Sequence, residues 1–214
     1  MSRIVADDPA GRAIAIEVLR DGGIVALPTD TVYGIGVALD TPGGIERLFQ
    51  VKARPPDKGI VLLIDDVAQA RLLGVMRPDA EALAAACWPG GLTLVVPQRP
   101  GVTLPEILTA GSPTIGLRVP DHATPRALAA AVGPLPTTSA NVSGLPEARN
   151  AGEILAQLGD AIELILDGGP AGGGPPSTVV DCTGEIPVVV REGATPATRV
   201  ADVLRAARLE FGRG

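Results

Sequence analysis

Short apolar runs and longer amphipathic segments alternate along this chain. The runs IVALP (24–28), IVLLI (60–64), LTLVV (92–96), TIGLRV (114–119), IELIL (162–166), TVVDC (178–182) and PVVV (187–190) are rich in β-branched residues, and most are bounded by turn formers. They predict strands. Residues 12–20, 43–52, 66–73, 77–87, 124–132, 150–158 and 198–208 instead repeat their apolar positions at helical spacing. Pro78 and Pro125 fall where the first turn of a helix tolerates them. Strands alternating with helices predict an α/β fold with a largely buried, mixed sheet. The stretch GGPAGGGPPS (168–177) has the composition of a linker, but strand-like residues follow at once. It therefore reads as a glycine-rich loop inside the domain.

Composition narrows the picture. A chain of 214 residues, 46% hydrophobic and 20% charged, supports a real core, and residues 1–214 are expected to form one domain. Its net charge of −6 and the absence of a long basic run disfavour a protein whose main task is gripping nucleic acid. The aromatics Tyr33, Phe49, Trp88 and Phe211 leave little for bases to stack on, which weakens a single-strand RNA-binding reading further. A single histidine, His122, excludes any site with two His ligands. Cys87 and Cys182 form no CxxC pair and read as reduced thiols. The N-terminal segment carries acids where a secretory signal needs an apolar run, and no stretch approaches a membrane span of about 20 residues. A soluble, cytoplasmic protein without a membrane partner is expected.

Three segments carry unusual chemistry. Pro28-Thr29-Asp30-Thr31-Val32-Tyr33-Gly34 follows a buried strand, and open α/β sheets place ligands at strand ends. A capped turn, with Asp30 bonding its own backbone, is the equal alternative. In Lys52-Ala53-Arg54-Pro55-Pro56-Asp57-Lys58-Gly59, Lys52 and Arg54 leave one face if the segment is extended, and Pro55 biases Arg54 away from helix. Two converging cations suit a polyphosphate, although cations at a helix C-terminus are favoured anyway. Pro136-Thr137-Thr138-Ser139-Ala140-Asn141-Val142-Ser143-Gly144 repeats the two-residue spacing, placing Ser139 and Asn141 on one face. Such donors hold phosphate oxygens without adding charge, or else bond only within their own turn. Neither GxxxxGK[ST] nor a GxGxxG after a strand is present.

Taken together and in order, PTDTVYGIG, K-x-R with PxDKG, WPGGLTLV (88–95), GLRVPDH (116–122), TSANVSG (138–144), PSTVVD (176–181) and VVREG (189–193) resemble the YrdC-like family of threonylcarbamoyl-AMP synthases. The resemblance runs from about Ile24 to Gly193, leaving 198–214 as a helix-like tail. It is to the short, single-domain bacterial type. The fold it implies is a twisted mixed sheet flanked by helices around a central concave cavity.

The activity it implies is condensation of L-threonine, bicarbonate or carbon dioxide, and ATP to threonylcarbamoyl-AMP and pyrophosphate. Partner proteins then transfer the threonylcarbamoyl group to tRNA. On that resemblance, Lys52 and Arg54 are the catalytic, phosphate-binding cations, with neither expected in the core. Lys58, Thr114, Ser139, Asn141 and Arg191 complete the ATP side; Thr29, Arg118 and Ser177 form the threonine side. Tyr33 and Trp88 are expected to pack, and His122 to occupy a turn. Where some family members have a histidine near the threonine, this chain has Leu63. Mg²⁺ is expected with ATP, held largely by phosphates and water because no carboxylate pair stands out. The rival reading is a non-catalytic RNA-binding or ribosome-associated protein of the same fold.

Overall fold

The structure, a computed structural model, describes residues 2–211. Ten strands form one continuous mixed sheet: β1 (Arg3–Ala6), β2 (Val25–Leu27), β3 (Gly34–Gly36), β4 (Val61–Leu63), β5 (Leu92–Pro97), β6 (Thr114–Arg118), β7 (Leu135–Ser139), β8 (Leu164–Asp167), β9 (Thr178–Asp181) and β10 (Val188–Arg191). Their spatial order is β1-β8-β2-β3-β7-β4-β6-β5-β9-β10. The helices are α1 (Pro9–Arg20), α2 (Gly44–Lys52), α3 (Val67–Leu73), α4 (Pro78–Cys87), α5 (Glu106–Thr109), α6 (Ala123–Val132), α7 (Ala151–Leu158) and α8 (Ala197–Phe211). All seven apolar runs expected as strands and all seven expected helices are present, with ends moved by a few residues. The expected tail continues as α8 to Phe211, and its remainder at 212–214 lies outside the described residues.

Helix starts follow from local chemistry. Asp8, Asp66 and Asn150 accept from the backbone N–H three residues on, at 2.8–3.0 Å, which satisfies a donor that the helix itself leaves free. His122 takes the same part at α6, its Nδ1 accepting from Thr124 N at 3.2 Å. That makes it a capping residue at a turn, as expected.

Side chains alternate across the sheet, and the two faces differ. Leu62, Ile64, Leu94, Val96 and Leu117 point into the larger buried cluster. On the other face, Leu63, Leu135, Val25 and Leu27 pack with Ala15 and Leu19 of α1 and Leu128 of α6. Each such leucine, fully buried, contributes roughly 2 kcal/mol of transfer free energy. Further along that face, alternate residues of the central strands line an open cavity, and Leu63 belongs to both. The site is therefore the part of the sheet surface that α1 and α6 leave uncovered.

Candidate active site

A cavity of about 370 Å³ lies over the middle strands. Its floor is a cross-strand row: Thr137 pairs with Val61, Val61 with Gly116, and Gly116 with Val95. Because strands alternate, Ser139, Leu63, Thr114, Arg118 and Thr93 share that face with the row. Loops complete the walls with Thr29, Thr31, Arg54, Glu147 and Ser177, and Arg191 enters from β10. Arg54, Arg118 and Arg191 are the charged donors of the described lining, set against the single carboxylate of Glu147. Threonine and serine hydroxyls share the rest of the lining with apolar residues such as Ile60, Val61, Val95 and Leu108, so the cavity suits an anionic ligand with an apolar part.

Arg118 is 5% exposed and is held on three sides. Its Nε donates to Gly90 O at 3.0 Å, Nη1 to Thr31 Oγ1 at 3.0 Å, and Nη2 to Asp30 Oδ1 at 2.5 Å. Burial lowers its pKa, Asp30 opposes that shift, and Arg191 adds to it. Asp30 thus bonds Arg118 across the sheet. Thr29 Oγ1 donates to Val32 O at 2.7 Å and accepts from Thr31 N at 3.1 Å, so the 28–34 turn is bonded internally as well. Ser177 is buried, its hydroxyl 2.8 Å from that of Thr93. Arg191 Nη2 donates to Ser177 O at 2.8 Å, which places this arginine beside the group around Arg118. Thr114 bonds the Ser112 hydroxyl at 2.7 Å.

At the other end, Arg54 donates from Nε to Lys58 O at 2.9 Å and from Nη2 to Gly59 O at 2.7 Å, wrapping the 55–59 loop round its guanidinium. Its guanidinium carbon lies 5.9 Å from the centroid of the Phe49 ring. Burial lowers its pKa.

Seven of the ten expected site residues line the cavity: Thr29, Arg54, Thr114, Arg118, Ser139, Ser177 and Arg191. Three do not. Lys58 is exposed on the loop and contributes its carbonyl to Arg54. Lys52, expected outside the core, is 3% exposed. The segment is not extended there: Lys52 ends α2, and Ala53 follows with φ 49°, in the left-handed region, so Lys52 and Arg54 diverge. Asn141 also leaves the cavity face, because β7 ends at Ser139. Asn141 is 6% exposed, with Nδ2 donating to Val142 O at 3.1 Å and Leu145 O at 2.7 Å.

The two inward-turned residues meet. Lys52 Nζ donates to Ser139 O at 2.7 Å, Ser139 Oγ at 3.0 Å, Asn141 O at 2.9 Å and Asn141 Oδ1 at 2.7 Å. Burial, and secondarily Arg54, lowers its pKa to about 8, while Glu147 acts in the opposite sense.

Thr93 and Glu147 line the cavity as well, outside the three segments the sequence points to. Thr93 carries the one legible signal, a hydroxyl inside an apolar strand and in step with the cavity face. Tyr33 and Trp88 pack as expected. Tyr33 is 1% exposed and its hydroxyl donates to Gly169 O at 2.6 Å, pinning one end of the glycine-rich loop. Trp88 Nε1 donates to Leu92 O at 2.7 Å. Cys87 and Cys182 are free thiols; burial raises the Cys182 pKa to about 12. Among the described residues no cluster of three His, Cys, Asp or Glu is placed to hold a metal, and no helix is long and apolar enough to cross a membrane.

The Sua5/YciO/YrdC family model, described as "Telomere recombination", matches residues 17–193. A Bacillus subtilis protein named threonylcarbamoyl-AMP synthase is 36% identical over 202 residues, covering 94% of this chain and 58% of its own length. A Shigella flexneri protein of the same name is 37% identical, covering 81% of this chain and 93% of its own length. The solved structure of P. abyssi Sua5 complexed with L-threonine superposes with a TM-score of 0.86 at 34% identity, covering 95% of this chain and 60% of that one. The chain thus spans under two thirds of some relatives and nearly the whole of others. With that match over most of its length, and with its cavity built on the strands the match includes, the chain belongs to the Sua5/YciO/YrdC family.

Proposed function

We propose that this chain is a threonylcarbamoyl-AMP synthase, a nucleotidyltransferase that condenses L-threonine, bicarbonate or carbon dioxide, and ATP. The observation that carries the reading is the gathering of three arginines and a wall of hydroxyls in one cavity over the sheet. The names of its relatives support that reading, and a relative's complex with L-threonine supports the choice of amino acid.

The amine nitrogen of threonine attacks carbon dioxide and loses a proton, giving N-carboxythreonine. An oxygen of that new carboxylate attacks the α-phosphorus of ATP. The bond from the α-phosphorus to the bridging oxygen breaks, and pyrophosphate leaves with the electron pair. Little acid–base work is required of the protein; it positions reactants and stabilises charge. Arg118 takes the threonine carboxylate, since its Thr31 and Asp30 bonds fix the fork while further N–H groups face the cavity. Thr29 and Ser177 border the same end. Arg54, Thr114, Ser139 and Arg191 receive the nucleotide, with Arg54 nearest the departing pyrophosphate. Lys52 and Asn141 act from beneath the phosphate side, and Lys58 reaches it only from the rim. Glu147, the one carboxylate of the described lining, is the residue that would help hold Mg²⁺ brought with ATP, and the ion would supply neutralisation of charge on the leaving pyrophosphate. The product then goes to tRNA-modifying transfer proteins in the cytoplasm.

Pyrophosphate release from ATP tests this reading, with threonine and bicarbonate each supplied or omitted. Release that requires both, and that fails with serine or alanine, is expected. Release indifferent to threonine would assign the chain to another adenylation.

A further inference from the structure

A second cavity, of about 270 Å³, shares no described lining residue with the first. It lies at the carboxyl ends of β4 and β6, two parallel neighbours in the sheet. The chain leaves those strands toward opposite faces. After β4, α3 buries Ala70 and Leu73 in the larger cluster; after β6, α6 buries Leu128 in the cluster on the other side. Helices that part in this way leave a crevice between them, and open α/β sheets bind ligands in such crevices.

The lining has two parts. Ala84, Ala85, Trp88, Pro89 and Val119 make an apolar floor, hollow where α4 presents its two alanines. Around it stand Asp65, Asp66, Arg71, Glu81 and Arg126, a rim with both signs of charge in near balance. Its two ion pairs differ. Arg71 grips Glu81 through Nε and Nη2, both at 2.8 Å. Arg126 reaches Asp65 through Nε alone, 3.5 Å from Oδ1 and 3.1 Å from the backbone O. Among the described residues Arg126 makes no other hydrogen bond, so its two Nη groups keep their donors.

We propose that this crevice is a second ligand site, for an α-amino acid with an apolar side chain. The head group of a zwitterion carries both signs of the loose pair side by side. Its carboxylate takes the Arg126 Nη groups, and its ammonium takes the Asp65 carboxylate, with that of Asp66 beside it. The side chain lies on the floor of alanines and Trp88. An ion of one sign would meet a like charge on the same rim, which disfavours a simple anion or cation. The volume falls just short of the roughly 300 Å³ at which sites for drug-sized ligands begin, and suits a molecule of amino-acid size. Threonine, short and hydroxylated, gains little from that floor, whereas leucine removes far more apolar surface from water. The proposal does not depend on the reaction assigned to the first cavity.

Trp88 is the one tryptophan of the chain and lines this cavity, so its fluorescence reports on the crevice directly. L-leucine titrated into the wild-type protein, with and without excess L-threonine, is expected to change that emission and to give a saturable heat in calorimetry. N-acetyl-L-leucine and L-leucinamide, each lacking one charge, should bind about tenfold more weakly. Ala85→Phe fills the floor from an exposed helical position and should abolish binding while keeping the melting temperature. Should that variant not fold, Arg126→Met, which keeps the stem and removes the fork, is expected to weaken leucine about tenfold. No saturable signal by either method would overturn the proposal. Equal affinity for N-acetyl-L-leucinamide would do the same, since it would mean a hollow blind to charge. Leucine binding that threonine suppresses, or that survives unchanged in folded Ala85→Phe or in Arg126→Met, would place the ligand elsewhere and would also defeat it.

Discussion

Arg118 and Asp30 form an ion pair at 2.5 Å with side chains 6% and 15% exposed, and such a pair has two separable functions. It keeps a carboxylate from being stranded in the interior, and it aims a guanidinium at the cavity. Arg118→Ala removes both, leaving Asp30 without its cation at a stability cost of about 3 kcal/mol. Adding Asp30→Asn to that variant is expected to recover part of the stability, because an amide is cheaper to leave there than a charge. It should recover none of the threonine affinity. Denaturant unfolding reads the first quantity, and the KM for threonine, raised far more than the KM for ATP, reads the second. Equal rises in both would contradict the placement of Arg118. At this scale the sequence is a partial guide. The K-x-R and S-x-N pairs are legible as spacing, but spacing assumes an extended backbone. Ala53 adopts a left-handed conformation that nothing about an alanine announces, and β7 stops at Ser139. Those two local turns send Lys52 and Asn141 inward.

Among the elements, the long periodic segments are the legible ones, because an amphipathic pattern and a cap are written in consecutive residues. The elements missing from the sequence reading are β1, β3, β7 and α5. Strand β3 is Gly-Ile-Gly, and β7 includes a proline; neither has the composition of a strand, and pairing with neighbours makes them strands. Gly34 fits there because a Cβ would come within 2.6 Å of Thr137 Cγ2. Strand order was equally out of reach, since β1 pairs with β8 across most of the chain. The same sheet supplies a test at this scale. Gly116, on β6 in the middle of the cavity floor, would meet nothing nearer than 3.6 Å with a Cβ added. Gly116→Val is therefore expected to hold its melting temperature within a few degrees, since a β-branched residue suits a strand. It fills cavity volume, so binding of ATP or threonine should fall sharply. Unchanged binding in a folded variant would show that the ligands lie elsewhere.

The molecule as a whole carries −6 while its main cavity is lined by three arginines and one glutamate. Opposite fields at the two length scales favour small anions that fit inside over long polyanions that must lie across the outside. That contrast is the physical reason to favour adenylation over RNA binding by this surface. Only the net charge was available from composition; the clustering needed the sheet, because Arg54, Arg118 and Arg191 are far apart in the chain. The central claim is that one cavity joins threonine, a bicarbonate carbon and an adenylate. The most direct measurement supplies isotopically labelled bicarbonate with ATP and L-threonine and weighs the nucleotide product. Threonylcarbamoyl-AMP carrying the labelled carbon, formed by the wild-type chain and lost in Arg54→Ala, is the predicted result. ATP left intact by a folded, threonine-supplied protein, or an adenylate without the label, would contradict the account.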